Sequence, residues 1–185
     1  MTNSVYYIWG RYDEALTTYQ LLLEHYDNIN NVRIRGALLN NMALIHGNRG
    51  EYDQAMKLYI ESLEIKKKLG DQQGMAKTMF NMANIHDKKG EHDQAMKLYI
   101  ESLEISKKIG DRQGIAETLN NMSTALLERQ EYKESFYRAS QAHEILVGLE
   151  LDTPVLQRSI DILSYIKKKV GNEEFQRLTE EFRKY

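Results

Sequence analysis

The chain has 185 residues, with 25 Lys and Arg against 27 Asp and Glu, a formal net charge of -2 and 42% hydrophobic residues. Its interspersed charges give no basic excess for nucleic acid or an anionic membrane surface. The absence of cysteine excludes disulfides, thiolate metal sites and cysteine nucleophiles.

The N-terminus, MTNSVYYIWGRYDEA, lacks the basic region and apolar run of a signal peptide, and no stretch approaches the roughly 20 apolar residues of a spanning helix. A cytoplasmic protein with no membrane contact is expected. One proline in the whole chain, together with apolar positions at helical spacing, predicts helix almost throughout.

Gly10 to Ala15 with Tyr19 matches Gly50 to Ala55 with Tyr59. Residues 11–27 therefore read as the second helix of a hairpin, with Met1 to Trp9 left for a partial first helix, so 1–29 is a partial N-terminal repeat. Either an abrupt natural start or a fragment would account for it. Complete repeats follow at 30–70, 71–110 and 111–150. A shift that lays Gly50 on Gly90 superposes Gly50 to Ile65 on Gly90 to Ile105, and Tyr52 against His92 is the sole difference. A unit repeated at a fixed period of this size leans on its neighbours to bury its apolar face.

Within the second repeat, Met79, Met82, Ala83 and His86 make one helical stripe, and Ala95, Leu98, Tyr99, Ser102 and Leu103 another. Gly90 between them suits a left-handed helix end, and Asp111 suits an N-cap after Gly110. In the third repeat Gln130 replaces the turn glycine, Ser135 the alanine and Ala139 the tyrosine. Phe136 and Tyr137 are the candidates to fill the space this tyrosine leaves. Thr153-Pro154 has the cap and first-turn order of a new helix running to about Lys169. After Gly171, the stripe Phe175, Leu178 and Phe182 predicts a last helix, so 151–185 is expected to be a degenerate, capping helix pair.

Asn81-Met82-Ala83 with His86, then Gly90, His92, Ala95, Tyr99, Ser102 and Leu103, resembles a tetratricopeptide repeat (TPR). The unit is longer than the family norm, which brings it near the long-helix arrays of kinesin light chains, Pins-type adaptors and Rap-type peptide receptors. The resemblance implies an all-α fold, a right-handed superhelical α-solenoid of antiparallel helix pairs forming one domain over 1–185. It also implies a concave groove lined by the first helix of each pair. HEAT and armadillo arrays share the period but not the Gly-x-x-x-x-Ala-x-x-x-Tyr spacing.

Counted from Ala43, Ala83 and Ser123, the groove side should carry Asn40, Asn41, Leu44 and Asn48, then Lys77, Phe80, Asn81, Asn84 and Lys88, then Glu117, Asn120, Asn121, Thr124 and Glu128. Asn41, Asn81 and Asn121 share one helical position, although asparagine is a middling helix former. Their carboxamides could hold the backbone of an extended peptide, as the resemblance implies, bond to a neighbouring helix or to water, or persist only because the repeats are duplicated. Phe80, where the flanking copies have Asn40 and Asn120, is either a groove anchor or core. The basic clamp that chaperone-tail-binding members use would fall on Asn40, Leu44, Asn81, Glu117 and Asn121, and only Asn81 fits it.

His46 and His86 occupy the aromatic packing position, as Tyr6 does, and no ligand set completes them, so no metal site is expected. Lys66-Lys67-Lys68 and Lys107-Lys108 read as solvated last-turn cations that complement the helix dipole. Lys167-Lys168-Lys169 shares its helix with Asp161 and stays ambiguous. No phosphate loop or nucleophile elbow occurs. The expected function is a non-enzymatic module, without cofactor, that binds a protein or peptide ligand in the groove. One alternative is a homo-oligomer that self-associates through Tyr6, Tyr7, Ile8 and Trp9; another is the sensor part of a larger regulator.

Overall fold

The computed structural model describes residues 2–28, 31–150 and 153–184, with side chains except those of 2–9 and 26–28. Among these residues all regular structure is helical: α1 (Thr2–Asn28), α2 (Val32–Asn48), α3 (Tyr52–Leu69), α4 (Gln72–Lys88), α5 (His92–Ile109), α6 (Arg112–Glu128), α7 (Tyr132–Val147), α8 (Pro154–Val170) and α9 (Asn172–Phe182). The helix starts are chemically marked. Asn31, Asp71 and Asp111 accept hydrogen bonds from the backbone N–H of Ile34, Gly74 and Gly114, at 3.2, 2.9 and 2.9 Å. Thr153 does the same for Leu156, with Pro154 in the first turn. Each cap satisfies a helix-terminal N–H that would otherwise lack a partner.

The chain divides into two compact units, Met1–Ile85 and His86–Tyr185. In the first, α1 and α3 both pack on α2. Ala43 and Ala55 are fully buried where α2 meets α3, Tyr59 is 1% exposed, and the Ser62 hydroxyl donates to Gly36 O at 2.7 Å. The expected break at Gly10 is not made, because Gly10 lies inside α1. Glycine permits a left-handed turn without requiring one. A Cβ at Gly10 would meet nothing within 4 Å, and the continued helix keeps its backbone hydrogen bonds. The side chains of Tyr6, Tyr7, Ile8 and Trp9 lie outside the described residues.

In the second unit α6 pairs with α7, α7 with α8, and α9 closes on α7 and α8. Phe136, one of the two candidates for the space beside Ala139, is buried in the same cluster as Ala139. It is 3% exposed and sits among Ile162, Ile166 and Leu178, with the rings of Phe175 and Phe182 edge-on at 5.2 and 6.3 Å. Burying a side chain of this size contributes about 2 to 3 kcal/mol. Tyr137 stays half-buried and donates its hydroxyl to Glu181 at 2.8 Å. Serines replace alanines at both crossing positions here. Ser123 Oγ donates to Ser135 O at 2.8 Å and Ser135 Oγ to Ser123 O at 2.9 Å, so neither buried hydroxyl is orphaned.

The hairpin turns close identically in all three complete repeats. Glu51, Glu91 and Glu131 each donate a backbone N–H to the carbonyl five residues back, on His46, His86 and Leu126, at 2.9 Å. The preceding residue has φ of 78° at Gly50, 75° at Gly90 and 61° at Gln130. Only the last carries a Cβ into the left-handed region, at a cost of about 1 kcal/mol. Gln130→Gly is therefore expected to raise stability by about that amount, measured as a shift of the urea midpoint with unchanged slope. An unchanged or lower midpoint would contradict the assignment of strain.

Candidate functional site

The candidate site was expected on one face of α2, α4 and α6, and the structure separates its residues by what each side chain touches. On α2, Asn41 and Asn48 are exposed and Leu44 is 45% exposed. On α4, Lys77 and Lys88 are exposed, and Phe80 and Asn84 are half-buried. On α6, Glu117, Asn121 and Thr124 are half-buried and Glu128 is exposed. Asn40, Asn81 and Asn120 are buried, at 5, 9 and 1% exposure.

Two of the buried asparagines are bonded within the chain, which corrects the expectation that they face a groove. Asn120 Nδ2 donates to Val155 O at 2.9 Å, tying α6 to the first turn of α8, while its Oδ1 is buried with no partner among the described residues. Asn40 Oδ1 lies 3.0 Å from the Thr78 hydroxyl and 3.4 Å from Lys66 Nζ. That contact also sets α2 beside α4 within the first unit. A carboxamide suits such places because it offers both donors and an acceptor to a neighbouring helix. Phe80 occupies the register of these two asparagines.

The shared register of Asn41, Asn81 and Asn121 does not mean a shared environment. Asn41 faces solvent and Asn81 is buried. Asn121 hydrogen-bonds the Tyr99 hydroxyl. Burial pushes that hydroxyl above the usual tyrosine range, the Asp87 carboxylate adds to the rise, and the bond from Asn121 opposes it. Thr124 accepts from Arg158 of α8 at 3.2 Å and donates to Asn120 O. The α6 part of the face thus serves internal contacts between helices, whereas on α2 Asn41, Leu44 and Asn48 are left in solvent.

Lys66 was expected in a solvated row, and the structure buries it at 8% exposure. Its ammonium donates to Thr78 Oγ1 at 2.6 Å. Burial lowers its pKa below the ordinary lysine value, Asp71 opposes that, and Lys77 reinforces it. A sequence signal existed: Ser106 stands in its register in the following copy, whereas Lys67 and Lys68 match Lys107 and Lys108. His46 and His86 are half-buried at the expected packing positions. His46 Nδ1 pairs with Glu51, and His86 Nδ1 lies 2.5 Å from Glu91, whose carboxyl it holds below the usual range.

The different surroundings of two asparagines in this face generate a direct contrast. Asn120→Ala is expected to cost about 1 to 3 kcal/mol, because it removes a buried donor and leaves Val155 O without it. Asn41→Ala should stay within about 0.5 kcal/mol of the parent. Urea unfolding of both variants measures this, and equal effects would contradict the placement.

Three comparisons bear on the kinship of this chain. The tetratricopeptide repeat family model matches residues 4–68, 34–108 and 74–146, well over half of the chain. No curated protein matches. Among solved structures, BtubC (BKLC) from P. vanneervenii is similar with a TM-score of 0.76 at 17% identity, over 95% of this chain and 76% of that one. The apo form of RapI gives 0.79 at 18% over 95% of this chain, which spans about half of that protein at 48%. A kinesin light chain-like array of nearly identical TPR-like repeats from Podosopora anserina gives 0.69 at 16%, over 97% of this chain and 89% of that one. At these identities the structural likenesses speak for the fold. The repeated glycine turns, the buried alanines and tyrosines and the family match together establish that the chain belongs to the tetratricopeptide repeat family.

Proposed function

We propose that the chain is a non-enzymatic protein-interaction module that holds an extended peptide segment of a partner against α2 and the neighbouring part of α4 in the first unit. Leu44 and Phe80 supply apolar anchors, since partly buried aromatic and aliphatic groups contribute most to binding when a partner removes them from water. Asn41, Asn48 and Asn84 offer carboxamides to the peptide backbone, and Lys77 favours an acidic side chain in the ligand.

One observation carries this reading. Leu44 is left 45% exposed, on a helix whose other apolar groups are largely buried, with exposed Asn41 and Asn48 on the same side. Removing the remaining exposed part of such a side chain from water yields about 1 kcal/mol when a ligand covers it. The second unit offers less at the matching register, because Asn120, Asn121 and Thr124 are bonded to α8 and Tyr99. Lys88, on the exposed end of α4, belongs to that unit and is not needed for this surface.

The test is selection of binders from a displayed peptide library on the parent chain, followed by affinity measurement with Leu44→Asp and Asn41→Ala. Both substitutions are at the surface and should leave the urea midpoint nearly unchanged. Leu44→Asp is expected to weaken the selected peptides by tenfold or more, and Asn41→Ala by a smaller factor. Failure to select any peptide, or equal binding to parent and both variants, would overturn the proposal.

A further inference from the structure

The one residue that distinguishes two otherwise identical stretches, His92 in place of Tyr52, lies in a cluster that the peptide-binding reading does not use. His92 opens α5, Asp87 lies in the last turn of α4, and Glu128 ends α6. All three belong to the second unit. His92 Nδ1 is 2.9 Å from Asp87 Oδ1, and Nε2 is 3.7 Å from Glu128 Oε2. One potential donor atom from each residue lies within 4.8 Å of the others. We propose that Asp87, His92 and Glu128 form a site for a divalent transition-metal cation of the Zn²⁺ class, clasping the ends of three helices.

The geometry suits this chemistry. Asp87 Oδ1 can accept a hydrogen bond from His92 Nδ1–H, which fixes the ring and turns the Nε2 lone pair towards Glu128; metal-binding histidines are commonly oriented by such an outer carboxylate. A separation of 3.7 Å is too long for a good hydrogen bond. It is close to the ~3.4 Å edge between two donors that each stand ~2.1 Å from one tetrahedral cation. Glu128 is 54% exposed in its side chain, so it can settle without disturbing packing, and with His92 Nε2 and Glu128 as the direct ligands the remaining positions are open to water. Imidazole nitrogen with a carboxylate oxygen suits Zn²⁺, Co²⁺ or Ni²⁺ better than Ca²⁺ or Mg²⁺.

Two of the neighbouring cations have carboxylates of their own, while Arg158 donates to Thr124 Oγ1. Arg129 reaches Asp93 at 2.9 Å and Glu131 at 2.6 Å, and Lys89 lies 3.4 Å from Glu91. Two negative groups therefore converge on one imidazole, which a divalent cation would neutralise. The repeat supplies an independent observation. The preceding copy has Gly47, Tyr52 and Lys88 at these three registers, and the following copy has Leu127 and Tyr132 at the first two. All three donors occur together in one copy only. A protonated His92 ion-paired to both carboxylates is the competing arrangement, and it predicts no metal affinity.

The experiment is titration of the full chain with Zn²⁺ at neutral pH, by calorimetry and by equilibrium dialysis, for the parent and for His92→Tyr, Glu128→Gln and His46→Tyr. The first of these recreates the residue that the sister copy holds in the same segment, so its hairpin is expected to fold, as circular dichroism will verify. One saturable equivalent of Zn²⁺ should bind the parent and His46→Tyr. It should weaken by about 100-fold in His92→Tyr and Glu128→Gln, the upper end of what even outer-shell changes cost. Parallel NMR should show the His92 ring resonances, among those of five histidines, shifting with the first equivalent. No saturable binding to the parent, binding that survives both substitutions, or equal loss in His46→Tyr would each overturn the proposal.

Discussion

Two helices can lie close only where the side chains between them are small, and the α2–α3 and α6–α7 hairpins depend on that constraint. Where α2 meets α3, Ala43 and Ala55 have no exposed surface. Where α6 meets α7, Ser123 and Ser135 have none either. The serine pair obeys the same steric rule with a chemical supplement, because a buried hydroxyl must be hydrogen-bonded. The crossing fixes the rotation of each helix about its axis. Rotation in turn decides which residues meet a neighbour and which face solvent.

That rotation explains why the asparagines divide into different roles. Asn40 and Asn120 sit where the next first helix passes, and each is spent on a contact within the chain: Thr78 and Lys66 for one, Val155 O for the other. Asn41 is one residue further round the helix and stays in solvent. Side-chain amides are inexpensive on an exposed face and stabilising in a buried one only when paired. Function is therefore to be sought where a group is accessible and unneeded by the fold, as at Leu44, or where charges converge beyond what packing requires, as around His92.

Much of the fold was readable from local chemistry. Glycines at 50, 90 and 110 mark turns because the left-handed region excludes most other residues, and Thr153-Pro154 marks a helix start because proline needs no donor there. Gln130 occupies the same turn without the glycine, so register was a better guide than residue type. Gly10 misled for the opposite reason: its local motif matches Gly50, but glycine permits a turn without requiring one. The candidate face was less readable. A single sequence shows helical period but not which neighbour each position meets, so Asn120 looked equivalent to a solvent-facing group. Lys66 looked like one of three solvated lysines, and only the Ser106 register hinted at burial.

The central claim, that small residues at the helix crossings set the placement of everything else, is tested most directly by enlarging one of them. Equilibrium urea unfolding of Ala55→Leu, with exposed Lys57→Leu as the control, measures it. Overpacking a filled interior costs about 1 to 3 kcal/mol, so Ala55→Leu should lose at least the upper part of that range while Lys57→Leu changes little. A stability of Ala55→Leu within about 0.5 kcal/mol of the parent would contradict the account.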